Sequence, residues 1–112
     1  MARASHELLH GTLETLILKA LEDQPRHGYG IVRQIEEATG GVVAVEDGSL
    51  YPALYRLETK GLIRGDFGVS DAGRRARFYK VTPRGARALA AQTKTWEQFA
   101  DGVSRLLLGR RP

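Results

Sequence analysis

Read for its apolar positions alone, the chain divides into helical stretches, an extended stretch, and a last long helical one. Leu13, Leu16, Ile17, Ala20 and Leu21 recur at the three- and four-residue spacing of a buried helical stripe. Thr12 offers a capping oxygen in front of them and the run DQPRHG ends the pattern. The segment YGIVRQIEEATGG predicts a second helix with Tyr29, Val32, Ile35 and Glu36 on roughly one side, stopped by the positive-φ capacity of Gly40 and Gly41. Val42 to Val45 is too short for a helix and mostly β-branched, so it predicts an extended connector or one short strand.

The stretch GSLYPALYRLETKG predicts a third helix of unusual composition. At about 100° per residue, Leu50, Leu54, Leu57 and Gly61 share one side with Ala53 beside them. Tyr51, Tyr55 and Thr59 line the opposite side, flanked by Pro52 and Arg56. A cap at Ser49 would put Pro52 at the third helical position, where a missing N–H costs no bond. Next, LIRGDF and ARFYKVT alternate partially with period two and predict a β-hairpin, with GVSDAGRR as a long charged tip. Phe78 and Lys80 point one way and Arg77, Tyr79 and Val81 the other; Phe78 and Tyr79 read as core or wing-packing residues.

Thr82 and Pro83 restart a helix as cap and first residue. Leu89, Trp96 and Val103 then fall seven apart, as do Phe99 and Leu106, with Ala100 and Leu107 alongside. The predicted fold is mainly α with a small β-hairpin. A winged helix-turn-helix occupies 1–82, with the third helix lying in a DNA groove and the hairpin as its wing, and one C-terminal dimerisation helix occupies 83–112. A lone helix cannot bury its own apolar stripe. Leu89, Trp96, Phe99, Val103 and Leu106 therefore call for a second copy of the chain, to which Leu8 and Leu9 of SHELLH would add.

Charge sharpens this picture. The net charge of the 112 residues is only +4, but Ser49 to Arg87 holds nine basic residues against three acidic, a balance of +6 that leaves −2 elsewhere. That segment is suited to a polyanion. Lys60, Arg64 and Lys80 read as solubilising charges beside the site. The absence of cysteine excludes disulfides, thiolate metal sites and thiol nucleophiles, and agrees with a reducing, cytoplasmic setting. No run approaches the roughly 20 apolar residues of a bilayer span, so no membrane partner is expected. Three scattered histidines and a HGYGIV run lacking the third glycine of a phosphate loop supply no catalytic constellation and no cofactor site. His6 and His10 share a helical face at ligand spacing but lack a third ligand nearby, so no metal is expected.

The blocks LLHGTLETLILKAL, HGYGIVRQIEEATGG, GSLYPALYRLETKGLI and GRRARFYKVTPRGARAL together resemble the PadR family of bacterial transcriptional regulators, over Leu8 to Leu89. The single, short last helix is similar to the compact subfamily. Gly30 departs from it, since many relatives carry a polar residue there. The resemblance implies a homodimer on double-stranded operator DNA and a repressor rather than an activator. Residue pattern and resemblance together nominate Ser49, Tyr51, Pro52, Tyr55, Arg56 and Thr59 on the third helix, and Gly73, Arg74, Arg75 and Arg77 on the wing, as the DNA contacts. In some PadR-like proteins flat aromatic effectors lie between paired C-terminal helices. Trp96 is the candidate stacking residue for such an effector, the plain alternative being that it fills the dimer core. The rival class is a winged helix that binds protein or RNA without operator recognition.

Overall fold

A computed structural model describes residues 11–109. The order is α1 (Leu13–Ala20), β1 (Arg26–His27), α2 (Gly28–Ala38), α3 (Asp47–Thr59), β2 (Ile63–Val69), β3 (Arg75–Val81) and α4 (Pro83–Leu108). Three helices enclose one core, and an antiparallel sheet of order β1-β3-β2 closes its side. The winged helix-turn-helix thus forms as the pattern predicts. Leu8, Leu9, His6 and His10 lie outside the described residues.

The core is built by Ile17, Leu18 and Leu21 of the first helical run, Ile31 and Ile35 of α2, and Leu50, Leu54 and Leu57 of α3, all buried. The leucine stripe of α3 therefore faces inward. On α2 the expectation is corrected: Tyr29 is 67% exposed, and Ile31 shares the buried face with Ile35 while Val32 is only partly covered. The buried face is instead Gly28, Ile31 and Ile35, because the helix begins at Gly28, which must itself be buried to let α2 approach α3. Val42 to Val45 forms no strand; Val45 is buried and Val43 packs against the core as a plain connector.

Two glycines end helices by the same device. After α2, Gly40 (φ 61°) donates to Glu37 O and Gly41 to Glu36 O. After α3, Gly61 (φ 74°) donates to Glu58 O and Leu62 to Leu57 O. Both are Schellman closures, and the second tucks Leu62 into the core. Gly61 is thus an exposed stop rather than a member of the leucine face.

The start of α3 differs from expectation. Its cap is Glu46, so Ser49 is the third helical residue and Pro52 the sixth. There Pro52 removes a bond that Gly48 O would have accepted, a real cost that the outward position of the ring limits. The strands also run further than the hydrophobic pattern implied, which shortens the tip to Ser70–Arg74. Ser70 N–H donates to Arg74 O and Gly73 N–H to Ser70 O, both at 2.8 Å, with Gly73 in the left-handed region at φ 77°. The two-residue strand β1 has no periodicity to betray it; it exists because Arg26 and His27 pair with Tyr79 and Phe78 of β3.

The last helix starts as expected, with Thr82 Oγ1 accepting the Gly85 N–H at 3.0 Å and Pro83 at the first position. It is single but not short, since its 26 residues extend about 39 Å at 1.5 Å per residue. Its first turns belong to the domain: Leu89 is 4% exposed and lies in the chain's own core, so it is not free to face a second copy. Among the described residues no helix is long and apolar enough to cross a membrane.

Candidate nucleic-acid interface

With the leucines of α3 buried, its outer arc presents Tyr55 and Tyr51, 73% and 52% exposed, together with Pro52 and Thr59. Ser49 sits half-buried at the start of this arc. Each edge of the arc is fixed by a carboxylate. Toward α1, Glu14 Oε2 accepts from Arg56 Nε and Oε1 from Lys60 Nζ, both at 2.9 Å. Toward the wing, Glu58 Oε2 accepts from Arg77 Nη2 at 2.6 Å.

The wing arginines thus divide into two kinds. Arg77 is half-buried and ties β3 to α3, and its bond to Glu58 holds the guanidinium still more firmly protonated. Arg74 and Arg75 are exposed near the tip, and neither enters an ion pair among the described residues. Arg75 lies over the Phe67 ring, 4.6 Å from its centroid, so a β2 aromatic supports the cation from beneath. The register pairs Phe67 with Arg77, which places Phe67 on the same face of the ribbon as the two arginines.

Between wing and helices lies an open groove of about 350 Å³, lined by His27, Gly28, Tyr29, Tyr51, Arg74, Arg75 and Arg77 among others. The Tyr51 hydroxyl packs so close to Gly28 that a Cβ there would stand 2.9 Å from it. His27 caps α2, its Nδ1 accepting the Gly30 N–H at 3.1 Å, and its ring meets Phe78 edge-on. Gly30 is therefore in the first turn of α2, not in its interior. Tyr79 forms the inner wall; burial pushes its phenol up, so it stays neutral in the groove.

All six nominated α3 residues lie on or beside one exposed arc, and of the four wing residues Arg74, Arg75 and Arg77 line the groove that Tyr51 borders from α3, while Gly73 lies in the tip turn outside that lining. Sequence reasoning passed over four others. Tyr29 and His27 line the groove, Glu58 binds its Arg77, and Glu14 binds Arg56 and Lys60 at the far edge of the arc. Tyr29 was legible as the exposed aromatic beside the HG pair. Glu58 was legible too, because seven residues after Tyr51 it falls on the same helical flank. Nothing local signals Glu14, whose partners lie 42 and 46 residues away.

A second exposed surface lies along the outer part of α4, where Trp96, Phe99, Val103 and Leu106 are 52%, 63%, 36% and 83% exposed, joined by Leu107 and Leu108. The Trp96 and Phe99 rings stand 6.3 Å apart. Among the described residues nothing covers this apolar strip.

Comparison with known proteins adds an independent line. A family model described as the transcriptional regulator PadR-like family matches residues 17–91. A transcriptional regulator from Mycobacterium tuberculosis is 34% identical over 87 residues, 78% of each chain. Among solved structures, a transcriptional regulator from Clostridium thermocellum superimposes with a TM-score of 0.81 at 26% identity, covering 90% of this chain and 98% of that one. A PadR-like regulator from Bacillus cereus does so with a TM-score of 0.78 at 28% identity, covering 93% and 99%.

Proposed function

The chain belongs to the PadR-like family of transcriptional regulators, DNA-binding proteins and not enzymes, and from that premise we propose that it represses transcription as a homodimer on operator DNA. In this reading α3 enters the major groove with Tyr51, Tyr55, Thr59 and Arg56 toward the bases and Ser49 and Pro52 against the backbone. Arg74 and Arg75 reach the flanking phosphates or minor groove from the Gly73 turn, and Arg77 sets the wing's angle through Glu58. The observation that carries this reading is the adjacency of an exposed tyrosine-lined arc, across one groove, to two arginines that enter no ion pair among the described residues.

Dimerisation is supported by the strip Trp96, Phe99, Val103 and Leu106, which is too apolar and too continuous to remain in water. PadR regulators are typically dimeric. A two-fold axis through that strip would present two α3 helices to half-sites about 34 Å apart, or a multiple of that. Repression rather than activation is what the family resemblance implies. The exposed Trp96 ring, tilted 39° from that of Phe99, also offers a stacking face for an aromatic effector that would release the DNA. Trp fluorescence titrated with planar phenols and dyes tests this, and a panel without quenching would leave Trp96 as a filler of the dimer core.

The test of the main reading is DNA binding across a salt series. Arg75→Ala should weaken binding to every sequence and reduce the slope of log K against log salt by about 1. Tyr51→Ala should cost about 1–3 kcal/mol at selected sites only. Binding that ignores salt, or never exceeds binding to random DNA, would favour a protein- or RNA-interaction module.

A further inference from the structure

The DNA-facing arc holds two cations that are already partnered. Glu14, in the first turn of α1, crosses to α3 and accepts hydrogen bonds from both Arg56 and Lys60. Its side chain is only 25% exposed, while those of Arg56 and Lys60 are 50% and 54% exposed. Burial alone would push the Glu14 carboxyl up, but the hydrogen bonds and charges of Arg56 and Lys60 outweigh it and hold the carboxyl below the usual carboxylate range. It is a fixed negative charge at neutral pH.

Its geometry selects one part of Arg56. Glu14 engages Nε, which leaves the two Nη groups of the guanidinium fork for an outside acceptor. A fork held from behind loses little further freedom on meeting a base edge, whereas a free arginine must be ordered at that moment. The same carboxylate halves the net charge of this flank, from +2 for the two cations to +1 for the trio. Attraction to phosphate, which every sequence offers equally, falls with that charge.

We propose that Glu14 is a positioning residue for DNA recognition: it aims the Arg56 fork outward and cancels one charge of the Arg56–Lys60 pair, favouring base contacts over sequence-independent attraction. The inference rests on the DNA-binding reading above. It makes α1, a helix that touches no DNA in that reading, a determinant of specificity.

The experiment uses the full chain with Glu14→Gln and with Arg56→Lys. Each is measured against a duplex selected from a random library by the wild-type protein, and against the unselected library, over a salt series. In Glu14→Gln the slope of log K against log salt should steepen by about 1, and affinity for the unselected library at 0.1 M salt should rise about tenfold. Preference for the selected duplex should fall about tenfold, because the fork is no longer aimed. Arg56→Lys keeps the charge and removes the fork, so its slope should stay at the wild-type value while the preference falls by a similar factor. Wild-type slope and preference in Glu14→Gln would overturn the inference and leave Glu14 as a tie between α1 and α3. Should Glu14→Gln fail to fold by circular dichroism, an unaltered preference in Arg56→Lys would overturn it instead. Loss of salt-dependent binding in the wild-type chain would refute the DNA reading itself, a result separable from either.

Discussion

Gly85→Ala isolates the junction on which the wing and the last helix meet. Gly85 is buried in the first turn of α4, beneath the base of the hairpin. A Cβ there would stand 1.9 Å from Leu62 O, 2.8 Å from Val81 Cγ2 and 2.9 Å from Leu62 C. To restore even a 3.0 Å contact the carbonyl must retreat by 1.1 Å, and that carbonyl accepts the Thr82 N–H at 3.1 Å. Overpacking of this kind costs about 1–3 kcal/mol and the strained hydrogen bond about 1 kcal/mol more. Alanine's helix propensity returns at most about 1 kcal/mol. The expected net loss is about 2 kcal/mol, whereas propensity alone would forecast a gain. With a urea m-value of about 1–3 kcal/mol/M, the denaturation midpoint should fall by roughly 1 M. Protomer concentration must be held fixed, because the stability of the proposed dimer would depend on it. A midpoint equal to or above wild type would refute the reasoning. Since the direction in which α4 runs is set at this junction, the variant should, in the proposed dimer, also bind operator DNA more weakly as the spacing of the two α3 helices changes.

Other expectations test separate parts of the account. Thr82→Ala removes the oxygen that caps α4 and also bonds Gly61 O, and should cost about 1 kcal/mol in the same denaturation assay. Phe99→Asp places a charge on the exposed α4 strip and should yield the mass of a single subunit in sedimentation while circular dichroism retains the helix signal; a persisting dimer would show that another surface holds the copies together. The lowered carboxyl of Glu14 binds its proton less readily in the folded chain than in the unfolded one. Its stabilisation is therefore present above the usual carboxylate range and fades as pH falls through the lowered folded value. Denaturation midpoints followed between about pH 6 and about pH 3 should fall less in Glu14→Gln than in wild type, and parallel curves would contradict that linkage.

Periodicity made much of the molecule legible because the forces that set it are local. Leu50, Leu54 and Leu57 declare the inner face of α3, and Thr82-Pro83 and the Gly40-Gly41 stop mark helix ends by rules that need no tertiary context, whereas Gly61 shares the leucine spacing and its role as a stop shows only in the fold. What escaped depends on partners distant in sequence. β1 exists only because β3 passes beside Arg26 and His27. Leu89 belongs to a heptad pattern by spacing yet to the domain core by position, since the strip emerges from the domain only beyond it. The start of α3 was misplaced by giving Pro52 its cheapest position, when packing of the leucines tolerates the lost bond. The nominated wing arginines looked equivalent in sequence, but Glu58 takes Arg77 for the wing's anchorage and leaves Arg74 and Arg75 outward.

The central claim is that two copies of the α3 arc, set apart by the α4 strip, read one duplex. Sequencing the genomic fragments that the protein retains at moderate salt tests it most directly. The expected result is an enriched motif of two inverted half-sites whose centres lie about 34 Å apart or a multiple of that. Retained fragments sharing no motif, or sharing a single unrepeated half-site, would contradict it.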